Sequence, residues 1–278
     1  MIMAAIIDGK TLAQTIRAEI QREIRACERA PKLAVILVGE DPSSVLYVRN
    51  KEKACHQVGI DVHIDRLPES TSERALLERI HALNEDPGVD GILVQMPLPS
   101  HIEGRDIISL ISPHKDVDGF HPINLGKLLI GEPGIHPPTP SGIIEMLDRY
   151  NVHLEGKRAV VIGRSLIVGK PMALMLLERN ATVTVCHSRT EELASIVREA
   201  DVLVVAVGKA HLVQPDWVKP GAVVIDVGQN RLDGQLTGDV HPDAAKHASM
   251  ITPVPGGVGP MTIAMLLSNT LKAYQRRA

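Results

Sequence analysis

RAVVIGRSLIVGKP, residues 158–171, sets the reading of the whole chain. The apolar run from Ala159 to Ile162 has the length of a buried strand, Gly163 permits a tight turn, and Pro171 is expected at the first position of a helix. Backbone N–H groups at such a helix start attract phosphate. A nucleoside-triphosphate loop would need four residues between its first glycine and the Gly-Lys pair, followed by Ser or Thr for a metal ion. Here five residues separate Gly163 from Gly169, and Pro171 follows Lys170. Phosphoryl transfer is thereby set aside, and dinucleotide binding is the reading that remains.

Downstream of this turn, apolar runs at residues 182–186, 202–206 and 222–226 continue a Rossmann-like unit. Asp233-Gly234 predicts a hairpin turn. Residues 252–262 are glycine-rich and irregular, and a helix is expected over 261–276. Upstream, Leu12, Ile16, Ile20 and Ile24 recur every four residues and predict an amphipathic helix over 11–26. A strand follows at 32–39. The next helix has Asp41 as its cap, Pro42 at its first position and Gly59 as its stop, and it carries Tyr47 and Lys51 on one face. A strand at 60–64, a helix at 72–83 and a strand at 91–95 complete an alternation that implies a parallel sheet. Ligands gather at the carboxyl ends of such strands, which marks Gln95, Pro97 and the helix of Tyr47. KDVDGF, residues 115–120, is a further loop with two carboxylates. HPPTPSG, residues 136–142, is expected to be an irregular linker before a helix over 143–149.

The fold class is therefore α/β, with two α/β domains flanking a cleft. Residues 1–138, completed by a C-terminal helix 263–278 packing back on them, form the first. Residues 139–262 form the second, the Rossmann-like domain.

Composition narrows the partners. Aromatic residues are 2% of the 278 residues, so base stacking is a poor fit, and a net charge of −3 argues against phosphate-backbone binding. No nucleic acid and no membrane is expected, since no apolar run approaches the roughly 18 residues of a membrane span. Cys27, Cys55 and Cys186 lack metal or disulfide spacing, and residues 1–10 lack a basic leader, so a cytoplasmic protein without a metal is expected.

In the dinucleotide fold the second strand ends at the adenine ribose, where an acid selects NAD. Here that strand ends Cys186-His187-Ser188-Arg189, with a hydroxyl and a guanidinium and no carboxylate. The expected cofactor is NADP, with Ser188, Arg189 and Arg164 available to a 2′-phosphate. Gly163, Ser165, Val168, Gly169 and Gly208 complete the expected cofactor site. Gly228 and Gln229, after the strand at 222–226, are expected near the nicotinamide.

Tyr-x-x-x-Lys also occurs in short-chain dehydrogenases, but there it follows the glycine turn. Here Lys51 precedes Gly163 by 112 residues. The chemistry is accordingly expected in the cleft between the domains.

YVRNK (47–51), VQMPLP (94–99), KDVDGF, GRSLIVGKP and TPVPGGVGPMT (252–262) together resemble the signature segments of the bacterial bifunctional methylenetetrahydrofolate dehydrogenase/cyclohydrolase family, in family order and over nearly the whole chain. The resemblance implies NADP-dependent oxidation of 5,10-methylenetetrahydrofolate to the methenyl form and its hydrolysis to 10-formyltetrahydrofolate. It also implies a homodimer acting on tetrahydrofolate derivatives, with or without polyglutamate tails. Carried over residue by residue, Lys51 is the central catalytic group, Tyr47 its neighbour over the pterin, Gln95 the partner orienting Lys51, and Asp118 the pterin anchor. Pro97, Pro255, Gly256 and Gly257 are implied beside the substrate. Asp116 and Asp118 alone supply too few ligands for a metal.

A charged lysine would repel the methenyl cation, so Lys51 is expected to be desolvated and neutral, helping to deprotonate the attacking water. Two departures stand out: Pro138 where many relatives carry Cys, which suggests a stiffer hinge, and Gln229 where relatives commonly carry Ile. A short-chain-type carbonyl reductase and a non-catalytic NADP-binding sensor remain the competing classes.

Overall fold

The computed structural model describes residues 4–102 and 104–276, apart from the side chains of Arg105 and Asp106. Along the chain run β1 (Ala5–Ile6), α1 (Gly9–Ile24), β2 (Lys32–Val38), α2 (Pro42–Val58), β3 (Asp61–Leu67), α3 (Glu73–Glu85) and β4 (Gly91–Val94). Then come α4 (Gly104–Ser109), α5 (Pro122–Leu129), α6 (Pro138–Arg149), β5 (Arg158–Ile162), α7 (Gly169–Glu178), β6 (Thr182–Cys186), α8 (Leu193–Val197) and β7 (Val202–Val205). β8 (Val223–Asp226), β9 (Asn230–Leu232), β10 (Gln235–Thr237), β11 (Met250–Ile251) and α9 (Val258–Gln275) close it.

The chain divides into two compact units, one running through Ala13 and Thr139–Thr262, the other through Gln14–Pro138 and the chain from Ile263. In the Gln14–Pro138 unit, β2 pairs in parallel with both β3 and β4, giving the order β3-β2-β4. The six β2 residues from Leu33 to Val38 are all apolar and all buried, as a central strand covered on both sides requires. Leu76, Ile80 and Leu83, spaced four and three apart on α3, pack on Ala34, Ile36 and Ile92.

The other unit holds a six-stranded sheet in the order β1-β11-β8-β7-β5-β6, all of its pairs parallel. β5 has β6 on one side and β7 on the other, so the strand order reverses there and a crevice opens at the strand ends. Its core is aliphatic, built around Val160, Ile162, Leu203, Val205 and Val224. The β9–β10 hairpin turns through Asp233 (φ 49°) and Gly234 (φ 79°), two left-handed residues that match the right-handed strand twist.

Several expectations are corrected. The N-terminal segment, assigned by sequence to residues 1–138, pairs through β1 with β11 (Ala5 with Met250, Ile6 with Ile251), so residues up to Ala13 go with the Rossmann-like unit. HPPTPSG joins the two units, the chain passing between them at Pro138–Thr139, but it is not irregular throughout. Its Pro138 and Pro140 occupy the first turn of α6, where a missing N–H loses no helical bond. Pro171 likewise falls at the third position of α7, and Pro260 at the third of α9, which starts at Val258 rather than 261. Residues 1–3, 277 and 278, placed in the first domain by sequence, lie outside the described residues.

Candidate active site

The helix α2 places Tyr47 and Lys51. Asp41 caps it by accepting from Ser44 N at 2.8 Å, and Gly59 closes it at φ 90° with its N–H on Cys55 O at 3.1 Å. Val48, Ala54, Cys55 and Val58 are buried, which leaves Tyr47 at the edge of the packed face, 43% exposed. One turn later, half-buried Lys51 donates from Nζ to Gln95 Oε1 at 3.0 Å. Gln95 follows β4, its N–H paired with Ile36 O at 2.9 Å and its Nε2 donating to Met96 O at 2.6 Å. With its N–H group so engaged, the amide presents oxygen to the lysine. Pro97 follows in the same loop, after a cis Met96–Pro97 bond.

Asp118 comes from the loop after β4 and α4. Burial pushes its carboxyl up to about 6, against the pull of Lys51 and with the push of Asp116. Burial also lowers the Lys51 ammonium, while Asp118 and then Cys55 raise it. A lysine and a carboxylate thus face each other in a setting that disfavours charge on either. Asp118 shares a small cavity with Ile92, Val94, Met96, Asp116 and Phe120.

Apart from Asp116, a structural neighbour of Asp118 already in the sequence reading, the loop carrying Asp118 is held by residues that sequence reasoning passed over. Lys115, buried, donates from Nζ to Leu83 O (2.8 Å), Asn84 O (2.7 Å) and Asp86 O (2.7 Å), capping the C-terminus of α3. Asp116 accepts from Gly119 N (3.0 Å), His121 N (2.8 Å) and Asn124 Nδ2 (2.9 Å). Asn269, on α9, donates to Val117 O and His136 O, both at 2.9 Å. Only the Lys-Asp pair before Asp118 hinted at this, since Asp is a common turn acceptor. Nothing local announced Asn269.

The second cluster lies in the Rossmann-like unit. Gly163 has φ 123°, and a Cβ there would stand 2.4 Å from Ala206 O, so only glycine closes the β5 turn. Gly163 N bonds Cys186 O at 2.9 Å, bringing the ends of β5 and β6 together. Ser165 Oγ accepts from Val168 N (3.1 Å) and Gly169 N (3.3 Å), capping α7, while Arg164 stays exposed. After β6, His187 N donates to Thr190 Oγ1 at 2.8 Å and Arg189 N to His187 Nδ1 at 3.2 Å, leaving Ser188 and Arg189 exposed. Exposed Gly208 follows β7; buried Gly228 and exposed Gln229 follow β8. Gln229 reaches the first turn of α9, where a Cβ on Gly259 would lie 3.0 Å from its Nε2. Pro255, Gly256 and Gly257 line one pocket with Gly228 and Gln229, within this same unit. The expected residues therefore fall into two groups: Tyr47, Lys51, Gln95, Pro97 and Asp118 in one unit, and Gly163 through Gln229 with Pro255–Gly257 in the other.

A parallel sheet with a glycine turn at its switch point, in one chain with a lysine–amide–carboxylate group, defines a dinucleotide-binding α/β protein that carries a second, separately built polar site. Comparison narrows this further. Residues 7–118 match the tetrahydrofolate dehydrogenase/cyclohydrolase catalytic domain and residues 137–278 the NAD(P)-binding domain of the same family. The chain belongs to the tetrahydrofolate dehydrogenase/cyclohydrolase family. It is 54% identical over 275 residues to the bifunctional protein FolD of Exiguobacterium sibiricum, covering 98% of this chain and 99% of that one. The crystal structure of the bifunctional FolD enzyme of Campylobacter jejuni superposes with a TM-score of 0.97 at 48% identity, covering 99% and 100% of the two chains. A Trypanosoma brucei methylenetetrahydrofolate dehydrogenase-cyclohydrolase, complexed with NADP cofactor and inhibitor, gives 0.95 at 41%, covering 99% of each. No helix among the described residues is long and apolar enough to cross a membrane.

Proposed function

We propose that this chain oxidises 5,10-methylenetetrahydrofolate with NADP⁺ to 5,10-methenyltetrahydrofolate and hydrolyses that product to 10-formyltetrahydrofolate. The carrying observation is the Lys51–Gln95 hydrogen bond near half-buried Asp118, in a chain of this family. The Gln14–Pro138 unit with the chain from Ile263 is read as the folate unit, and the unit with the β5 turn as the NADP unit.

The β5 turn suits a dinucleotide: its backbone is free of Cβ at Gly163, α7 starts after it, and Ser188 and Arg189 stand exposed after β6. NADP⁺, when bound, supplies the hydride acceptor. Gly163, Arg164, Ser165, Val168 and Gly169 are assigned to its phosphates, Ser188 and Arg189 to the ribose phosphate, and Gly208, Gly228 and Gln229 to the nicotinamide side.

On the folate unit, Asp118 accepts N–H bonds from the amino-pyrimidinone edge of the pterin, which a carboxylate does in paired fashion. Tyr47 covers the ring and Pro97 bounds the substrate; Pro255, Gly256 and Gly257, of the other unit, are also assigned to the substrate. Loss of hydride leaves a cationic carbon between two nitrogens. Lys51, kept toward its neutral form by burial, accepts a proton as water adds to that carbon. The carbon–nitrogen bond to the pterin ring then breaks, its electron pair staying on nitrogen, which takes up a proton. Gln95 holds Nζ in place through Oε1 in either protonation state, because amine and ammonium both donate.

Tetrahydrofolate derivatives are the substrates in this reading, and polyglutamylated forms are included. The chain is further assigned to the cytoplasm as a homodimer, with Leu232 and Leu236 on the β9–β10 hairpin, 45% and 37% exposed, as the contact. Incubation with methylenetetrahydrofolate and NADP⁺, following methenyl absorbance as it appears and decays, tests the function. Absent absorbance with reduction of simple ketones supports a carbonyl reductase; cofactor binding without turnover supports a sensor.

A further inference from the structure

Two buried carboxylates in the Rossmann-like unit take no part in the steps above. Asp239 is fully buried, and each of its oxygens accepts twice: Oδ2 from Val207 N (2.7 Å) and Gly208 N (3.0 Å), Oδ1 from Lys209 N (2.8 Å) and Asn230 Nδ2 (2.8 Å). Asp226, the last residue of β8 and also buried, accepts from Gly228 N and Asp239 N on Oδ1 and from Val240 N on Oδ2, each at 2.9 Å. The first carboxylate thus gathers the loop after β7 and the start of the β9–β10 hairpin. The second seats the backbone of the first. The chain leaves room for both: a Cβ on Gly238 would stand 1.8 Å from Asp226 Oδ2, and one on Gly228 would stand 2.4 Å from Asp239 N.

Three consecutive amides aimed at one point would by themselves form an anion-binding concavity. Asp239 fills it from within the protein, so the segment from Val207 to Lys209 has a fixed course before any ligand arrives. That segment follows Ala206, whose carbonyl backs the Gly163 turn across the switch point between β5 and β7. Both tethered loops lie at the carboxyl ends of β7 and β8, where this fold receives its ligand. A buried anion is tolerable only with such saturation by N–H donors.

We propose that Asp239, seated by Asp226, is a positioning residue for the dinucleotide: it holds the loops after β7 and β8 in the shape that receives the nicotinamide half. This rests on the function proposed above. Asp239→Asn in the full chain replaces one doubly accepting oxygen by an amino group facing two N–H donors. The KM for NADP⁺ should rise about tenfold or more, the loss expected from misdirecting charge-assisted bonds. Hydrolysis of supplied methenyltetrahydrofolate, measured without cofactor, should stay within about twofold. A general loss of structure would lower both activities together, and that result, or an unchanged KM for NADP⁺, overturns the proposal. Should Asp239→Asn fail to fold, Asn230→Ala removes one of the four donors and leaves the carboxylate. A smaller rise in the same KM is then expected, and no rise contradicts the claim. If the wild-type chain shows neither activity, the functional reading fails by itself. Fluorescence titration with NADPH then compares wild type and variant, and equal affinities overturn the positioning role.

Discussion

Lys51 Nζ donates to Gln95 Oε1 at 3.0 Å, and the amide cannot easily turn away, because Gln95 Nε2 is held by Met96 O at 2.6 Å. The bond therefore fixes where the amine stands without adding a charge that would keep it protonated. Gln95→Glu adds that charge. The acidic limb of the hydrolysis pH profile should move upward by about one unit or more, since a carboxylate within contact favours the ammonium. An unmoved limb would mean that Lys51 does not titrate in catalysis.

Asp118 gives a second pH signature. Its carboxyl is pushed up to about 6 by burial, so below that pH it is protonated and accepts poorly from a pterin. The KM for the folate should rise as pH falls through about 6, measured by initial rates. For stability the sign is opposite. The folded chain binds this proton more tightly than the unfolded one, so ionisation destabilises the fold as pH rises from the ordinary carboxylate range to about 6. Asp118→Asn should raise the melting temperature at pH 8 and leave it nearly unchanged at pH 4.

Lys115 caps α3 with three hydrogen bonds to carbonyls and anchors the loop of Asp118. Lys115→Met leaves those carbonyls without their donor in a buried place, at about 2–3 kcal/mol. Urea unfolding should show this as a lower midpoint with an unchanged slope, and the folate KM should rise more than kcat falls.

Gly163→Ala places a Cβ against Ala206 O in a backbone region that L-residues avoid. The dehydrogenase reaction should fall by about tenfold or more, the equivalent of 1–3 kcal/mol of strain. Hydrolysis of methenyltetrahydrofolate should persist. Equal loss of both would place the turn in the general fold and not in cofactor binding.

The fold was readable where its signals are local. Asp41, Pro42 and Gly59 bracket α2 within one helix length, and Asp233-Gly234 makes its own hairpin. The prolines of residues 136–142 misled, because Pro138 and Pro140 lie in the first turn of α6, where the same ring that breaks a helix interior does no harm. The pairing of Ala5 with Met250 had no local sign, since two-residue strands carry no periodicity. In the site, the spacing of Tyr47 and Lys51 on one helix face could be read directly. The bonds of Asn269 to Val117 and His136, and of Asp239 to the amides after β7, could not, because they join segments distant in sequence.

The neutral-amine role of Lys51 is tested most directly by the decay of methenyltetrahydrofolate absorbance in Lys51→Met, a change that keeps the length and apolar stem of the side chain but removes its base. Decay no faster than the uncatalysed rate, with NADPH binding and thermal unfolding like the wild type, is the expected result. Near-normal hydrolysis in that variant would contradict it.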